Sequence, residues 1–233
     1  MSSRGDDDVV RRLAAAAQVF REALVDGTES ACDEVPTSID ITELIVLVER
    51  AELAVAAAAA LSDAQRQSHT DALTGLWNRR YLDLAIDSEL VRCVRFAESF
   101  SLLFCDIDNF KAINDRLGHP AGDHVLTNLG QRLGRATREV DEVARYGGDE
   151  FVLVLPRTDL PGALSLAEKI RSAVRSAPFT IGRSDVPVTV SVGVSTFPDH
   201  GSTAGDLLAR ADSALYKAKA TGGDRVEHFR CNE

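Results

Sequence analysis

Arg145-Tyr146-Gly147-Gly148-Asp149-Glu150, followed at once by Phe151-Val152-Leu153-Val154-Leu155, constrains the fold more than any other stretch of the chain. Two successive glycines can take φ > 0 at both central positions of a tight turn, a conformation that other residues resist. The apolar run behind them reads as a buried strand. Together they predict a β-hairpin with a tip free of side chains, followed by two carboxylates. Such a tip leaves backbone N–H groups open to a polyphosphate. Hairpins also use Gly-Gly turns without any functional reason, and Asp149-Glu150 would serve equally as solvated charge.

The 233 residues, 45% of them hydrophobic, supply one full core and an appendage. The formal charge of −10 is unevenly placed: residues 1–70 carry thirteen acidic against six basic side chains, and the remainder is close to balanced. A net-acidic chain speaks against nucleic acid and against an anionic membrane surface as partners. A local lysine cluster with a bound cation still suits a nucleotide. Cys32, Cys93, Cys105 and Cys231 lack CxxC spacing and read as buried or idle thiols of a reducing compartment. No helical HxxxH pair points to zinc. The longest apolar run, 53–61, is mostly alanine and falls short of the ~20 residues that span a bilayer. It also lies too far along the chain for a signal peptide, so a cytoplasmic location is expected.

Val9, Leu13, Ala16, Ala17, Phe20 and Leu24 recur at helical spacing. A second helix opens at Asp40, with Glu43 completing a capping box, and carries Ile41, Leu44, Ile45, Val48, Ala51 and Val55 on one side. Two helices bury both stripes only against the main domain or against a second copy. Residues 1–67 are therefore expected to form an N-terminal helical segment for dimerisation or regulation, ahead of a main domain over 68–233. That domain opens with a polar turn at 71–80 and a helix over 81–98. A strand at 101–107, a short helix, a glycine-containing connection at 118–123 and a helix over 124–137 lead to the hairpin. A helix over 160–176, a strand over 186–196, a helix over 204–220 and a strand at 225–229 complete it. The order from residue 101, β-α-α-β-β-α-β-α-β, predicts a ferredoxin-like α+β fold with an antiparallel sheet and flanking helices.

The strand at 101–107 leads into Asp106-Ile107-Asp108, whose two carboxylates share one side of an extended chain. A carboxylate beside Phe104, Cys105 and Ile107 is costly to bury without a partner. A hard cation such as Mg²⁺ is one, since it takes a few protein oxygens and leaves its other positions to water and phosphate. Asp108 reads as the cap of the following helix, Asp106 as the metal ligand. If this strand pairs beside the hairpin, Asp106 meets Asp149 or Glu150 across the sheet. Lys111 and Lys219 could supply charge for phosphates, although each alone reads as a solvated lysine. Asn114, His119 and Asp123 could read a purine edge, a carboxylate suiting the N1–H and exocyclic amine of guanine. Spacing alone equally allows Asn114 and Asp123 to cap helices.

Six separated motifs occur in one order. They are Asp71-x-Leu73-Thr74-Gly75-Leu76-x-Asn78-Arg79-Arg80, Asp106-Ile107-Asp108-x-Phe110-Lys111-x-x-Asn114-Asp115, Gly118-His119-x-x-Gly122-Asp123, Arg145 to Phe151, Ser191-Val192-Gly193, and Asp212-x-Ala214-Leu215-Tyr216-x-Ala218-Lys219. From about Asp71 onward the chain resembles the GGDEF family of diguanylate cyclases, nucleotidyl-cyclase-like domains. In that family two GTP molecules, one on each of two subunits, are joined into cyclic di-GMP with release of pyrophosphate.

The resemblance implies that Asp106, the Ile107 carbonyl, Asp149 and Glu150 hold Mg²⁺, or Mn²⁺ in its place, and that Asp149 and Glu150 form the catalytic acidic pair. It places Asn114, His119 and Asp123 at the guanine, Lys111 and Lys219 at the phosphates, and Gly147 and Gly148 against the nucleotide. Arg138 and Asp141, by spacing an i,i+3 ion pair at a helix end, fall where the family binds cyclic di-GMP as an inhibitor. The implied protein is a homodimer with GTP as substrate and no nucleic-acid or membrane partner. Its alternative is a weak or inactive relative that binds cyclic di-GMP as a receptor or scaffold; such relatives typically lose hairpin acids, which are all present here. Relatives usually carry Arg or Lys four residues beyond Lys219, where this chain has Gly223. Arg225, two places on, falls on the same side of an extended chain and is the candidate replacement.

Overall fold

The computed structural model describes residues 69–182 and 184–230. The helices expected before residue 68 lie outside the described residues. Eight strands and five helices follow in the order β1 (Trp77–Asn78), α1 (Arg79–Phe96), β2 (Phe100–Ile107), α2 (Phe110–Leu117), α3 (His119–Ala136), β3 (Glu142–Gly147) and β4 (Glu150–Pro156). Then come α4 (Leu160–Ser176), β5 (Phe179–Ile181), β6 (Ser184–Val186), β7 (Val190–Phe197), α5 (Ala204–Ala220) and β8 (Val226–His228).

Six strands form one sheet in the order β1-β3-β4-β2-β7-β8. Its four inner strands are antiparallel and give the expected ferredoxin-like core. The two edge strands run parallel to their neighbours, β1 on β3 and β8 on β7, so the sheet is mixed rather than antiparallel throughout. β2 lies at its heart and is buried along its whole length.

Alternate residues of these strands feed two helical layers. Leu103, Cys105, Phe151, Leu153, Val192 and Val194 pack with Val125, Leu129 and Leu133 of α3 and with Ala163, Ala167 and Ile170 of α4. Leu102, Phe104, Val152 and Val154 pack with Leu82 and Ile86 of α1 and with Leu207, Ala211 and Leu215 of α5. A strand covered on both faces must be apolar on both, which is why β2 and β4 read as unbroken apolar runs.

Three boundaries differ from expectation. α3 begins at His119, five residues before the predicted start, because Pro120 suits the first helical turn and needs no N–H partner there. The predicted strand over 186–196 divides: Ser184–Val186 pairs with Phe179–Ile181 in a separate two-stranded sheet, and β7 starts at Val190. β1 lies inside the turn expected at 71–80; two residues are too short to show a period. The helices at Leu160–Ser176 and Ala204–Ala220 match their predicted spans. Cys93 and Cys105 are buried free thiols. Among the described residues no helix is long and apolar enough to cross a membrane.

α5 lies directly on the backbone of β7. A Cβ built at Gly193 would stand 2.0 Å from the Ala211 carbonyl oxygen and 2.3 Å from the Leu215 amide nitrogen. Gly193→Ala must push the helix off the strand, and is expected to cost about 3 kcal/mol of stability, as overpacking against backbone does. Urea denaturation would measure this; a loss below about 0.5 kcal/mol would mean that α5 shifts freely.

Candidate active site

The sheet carries three acidic residues to one end. Asp106, the seventh residue of β2, stands opposite Glu150 of β4 on one side and Ser191 of β7 on the other. The residue is 4% exposed. One oxygen, Oδ2, lies 2.6 Å from Lys219 Nζ of α5. The other, Oδ1, is buried with no hydrogen-bond partner. Burial pushes this carboxyl up to about 6; the Lys219 bond opposes the shift, and the charges of Asp149 and Glu150 add to it. Glu150 is also raised, by burial first and then by Asp149 and Asp212, against Lys219 and Arg79.

An orphaned carboxylate oxygen facing further carboxylates fits a hard cation. Among the described residues, no three acidic, His or Cys side chains already converge on one point. A cation bound here would therefore complete its shell from a backbone carbonyl such as that of Ile107, at the end of β2, and from water or phosphate oxygens. That partition is the habit of Mg²⁺.

The hairpin tip has a different turn from the one expected. Gly148 takes φ +53°, but Gly147 does not enter the left-handed region. A register shift between Arg145 and Gly147 inserts an extra residue there, and one left-handed residue then suffices. A Cβ built at either glycine meets nothing within 4 Å, so the tip is open to an incoming group.

The tip is held from behind by a residue that sequence reasoning passed over. Arg145 donates from Nε and Nη2 to the Gly148 carbonyl, at 3.0 and 2.8 Å, and from Nη1 to both Asp71 oxygens at 3.2 Å. Asp71 Oδ1 also accepts from the Thr74 amide at 2.9 Å and hydroxyl at 2.7 Å. Arg79 stacks over Tyr146, 4.4 Å from its ring centroid. The turn at 71–80 and the hairpin therefore brace one another across more than seventy residues of sequence, a distance no local pattern reports.

Contrary to expectation, Asp108 does not cap α2. Its carboxylate accepts from the Thr189 hydroxyl at 2.7 Å, the Ser191 hydroxyl at 2.6 Å and the Asp224 amide at 2.9 Å, tying β2 to β7 and to the turn after α5. The α2 N-cap is Asn109, at φ +54° and without a side-chain cap bond. The Ala112 amide bonds the Asn109 carbonyl at 2.9 Å in the first turn. Lys111 is exposed on that same turn.

Asn114 and Asp123 do not cap helices either. Asn114 lies within α2, its Oδ1 buried and unpartnered, and a Cβ at Gly122 would sit 1.9 Å from that oxygen. Gly122 thus makes room for the amide. His119 and Asp123 stand four residues apart on the exposed start of α3, which follows directly on α2. Arg138 and Asp141 form the predicted pair, Nη2 to Oδ1 at 2.8 Å, with Arg138 also bonding the Thr158 hydroxyl at 2.9 Å. They lie just before β3, roughly 20 Å of strand from the glycine tip. A cleft of about 270 Å³ beside them is lined by Leu76, Trp77 and Thr137 among others.

The turn after α5 is not extended, which removes the alternation expected for Arg225. Gly222, Gly223 and Asp224 take φ of +117°, +71° and +48°.

Residues 68–225 match the family described as Diguanylate cyclase, GGDEF domain. The chain belongs to the GGDEF family. It is similar to the response regulator PleD of Caulobacter vibrioides, 46% identical over 159 residues that make up 67% of this chain and 35% of PleD. Diguanylate cyclase DgcP of Pseudomonas aeruginosa is 41% identical over 168 residues, 72% of this chain and 25% of DgcP. The chain thus spans about a third of the first relative and a quarter of the second. The crystal structure of the coiled coil and GGDEF domain of DgcB from Caulobacter crescentus, in complex with c-di-GMP, superposes with a TM-score of 0.72 at 30% identity, covering 81% of this chain and 100% of that one.

In this GGDEF domain the Arg145 brace carries a test. Arg145→Lys keeps the charge but cannot span Asp71 and Gly148 together. Amide exchange at Gly148, Asp149 and Glu150 is expected to rise about tenfold, a loss of ~1.4 kcal/mol of local protection; unchanged exchange would show that the tip holds itself. The pH behaviour of the pair follows from its sign. Burial pushes Asp71 up, but the Thr74 bonds and Arg145 outweigh it and hold the carboxyl below its usual value. A depressed folded value contributes stability above the ordinary carboxylate pKa of about 4, lost as pH falls through it. Asp71→Asn should therefore destabilise the protein at neutral pH and have little effect in strong acid.

Proposed function

We propose that the chain is a diguanylate cyclase, joining two GTP molecules, one held by each of two copies, into cyclic di-GMP with release of pyrophosphate. The observation that carries this reading is the buried, unpartnered Asp106 oxygen set opposite Glu150 beside the open glycine tip. Asp106, the Ile107 carbonyl, Asp149 and Glu150 would hold Mg²⁺ or Mn²⁺, which neutralises triphosphate charge and orients it. Phosphoryl transfer asks mainly for in-line positioning and charge stabilisation, and the chain's residues divide that task. Lys219, which holds Asp106 in this structure, would be available to a phosphate oxygen where a cation held that carboxylate. Lys111, exposed on the first turn of α2, adds a further donor for phosphate. Asn114, His119 and Asp123 fix the guanine at the α2–α3 corner, and Gly147 and Gly148 admit the nucleotide without a steric barrier.

Each 3′-OH has to reach the α-phosphate on the other copy, so the active form is a homodimer with the two tips facing. The apolar stripe at Ile41, Leu44, Ile45, Val48, Ala51 and Val55 is the natural pairing element, because joining two copies raises the effective concentration of the sites. Arg138 and Asp141 serve as the inhibitory site for cyclic di-GMP. Arginine suits that role, its fork matching a phosphate bidentately.

Incubating the protein with GTP and Mg²⁺ and identifying the product tests the reading. Asp149→Asn or Glu150→Gln is expected to lower product formation by about a thousandfold or more, ~4 kcal/mol of transition-state stabilisation, without loss of fold. Near-normal turnover in both variants would remove the catalytic assignment. Base choice is tested separately: Asp123→Ala should weaken GTP about tenfold or more while leaving ATP little changed, since losing a paired polar group discriminates strongly. Equal effects on both nucleotides would make Asp123 structural.

A further inference from the structure

Two aspartates stand two residues apart at the end of β2, and the fold treats them in opposite ways. Asp106 keeps one oxygen without a partner. Asp108 has both oxygens committed. Oδ1 accepts from the Ser191 hydroxyl at 2.6 Å, and Oδ2 from the Thr189 hydroxyl at 2.7 Å and the Asp224 amide at 2.9 Å. Gly223 packs so closely on this carboxylate that a Cβ there would stand 2.9 Å from Oδ1. A carboxylate filled in this way has little left to offer a cation. It holds other groups still instead.

Two groups of the candidate site depend on it. The first is the Ile107 carbonyl. The Asp108 amide donates to the Thr189 carbonyl, just before β7, at 3.0 Å. The Ile107–Asp108 peptide is trans, so its C=O points opposite to its N–H. The Ile107 carbonyl therefore points away from β7, to the β4 side of the strand. The β2–β4 ladder has ended there, at Asp106 and Glu150, and Asp149 directly precedes Glu150. Thr189 grips residue 108 twice, its carbonyl on the amide and its hydroxyl on the carboxylate, which leaves that peptide plane little freedom to turn. The second group is Lys219. The Gly222 and Gly223 amides close the end of α5 on the Lys219 and Ala218 carbonyls, at 3.1 and 3.0 Å. The following amide, of Asp224, bonds Asp108 instead, and the Asp224 carboxylate is clamped by Arg171 at 2.5 Å and Arg175 at 2.8 Å, both of α4. Asp108 thus seats the helix end from which Lys219 reaches Asp106 at 2.6 Å.

We infer that Asp108 is a positioning residue for the cation site: it ligates nothing itself, but sets the direction of the Ile107 carbonyl and the seat of the Lys219 helix end. Groups one shell outside a metal's ligands govern its affinity in this way. The inference rests on reading this end of the sheet as a metal and GTP site. It differs from a purely structural role, in which the Asp108 bonds would serve stability alone. The full chain is titrated with the α,β-methylene analogue of GTP twice, with Mn²⁺ and with a chelator, and the ratio of the two affinities reads the cation's share of binding. Thr189→Val and Ser191→Ala each remove one hydroxyl and keep the Asp108 charge. They are expected to lower that ratio about threefold singly and about tenfold together. Asp108→Asn can meet the same three partners, since a hydroxyl accepts as well as donates, and should stay within about twofold of the wild type. An unchanged ratio in the folded hydroxyl variants would make the Asp108 bonds purely structural. A tenfold fall in Asp108→Asn would make its charge, rather than its hold, the operative feature. Either result overturns the inference, while a metal-dependent wild-type affinity upholds the site. A wild-type chain that binds the analogue no better with Mn²⁺ than with chelator would overturn both.

Discussion

A carboxylate at the end of a central strand is the costliest group in this domain, and Asp106 is placed there by the same pairing that makes the core. β2 is flanked on both sides, so Asp106 has no edge from which to reach water. Only Lys219 answers one of its oxygens. Lys219 reaches it because α5 sits close to the sheet, and α5 sits close because Gly193 brings no side chain between them. The remaining oxygen is left bare, with Asp149 and Glu150 adding negative charge nearby. An unpaired buried polar atom costs about 1–3 kcal/mol. The rest of the fold supplies that stability, through two apolar layers that close over both faces of the sheet. A cation at Asp106 would relieve that repulsion and would share the carboxylate with Lys219.

Much of this was legible in the chain because it is local. Strands buried on both faces announce themselves as apolar runs, and the helices at Leu160–Ser176 and Ala204–Ala220 carry a clear period of 3.6. The pairing of Asp106 with Glu150 follows once β2 and β4 are neighbours, since the register is set by matching apolar faces. The family resemblance supplied roles for residues such as Lys111 and Asp123 that spacing alone left open.

What the chain concealed depends on contacts far apart in sequence. Asp71 and Arg145 look like ordinary surface charges until the hairpin is folded against the turn before α1. Asp108 reads as a helix cap, because Asp before a helix usually is one; here Thr189, Ser191 and Asp224 offer it three donors that the helix does not. Gly147 and Gly148 invited a turn with two left-handed residues, but the bulge after Arg145 absorbs the difference and needs only one. The start of α3 was hidden by Gly118, Pro120 and Gly122, a breaker-rich stretch in which proline opens the helix and Gly122 accommodates Asn114.

The two ends of β3 set the terms on which an inhibitory site could speak to a catalytic one. Arg138 and Asp141 stand before its first residue, and the glycine tip follows its last. Arg138 is not idle in the absence of a ligand: Asp141, the Thr158 hydroxyl and the Pro156 carbonyl all accept from it. On the proposed reading, cyclic di-GMP must displace at least some of these bonds, so its net affinity is the difference between two sets of charge-assisted contacts rather than the sum of one. Asp141 is buried and is held also by the Arg138 amide, a bond that does not depend on where the guanidinium lies. Rearranging that guanidinium need not disturb β3, whose inner residues Val143 and Ala144 are locked in the core. Between the two places runs a strand whose own hold is its burial in the core, independent of the Arg138 bonds.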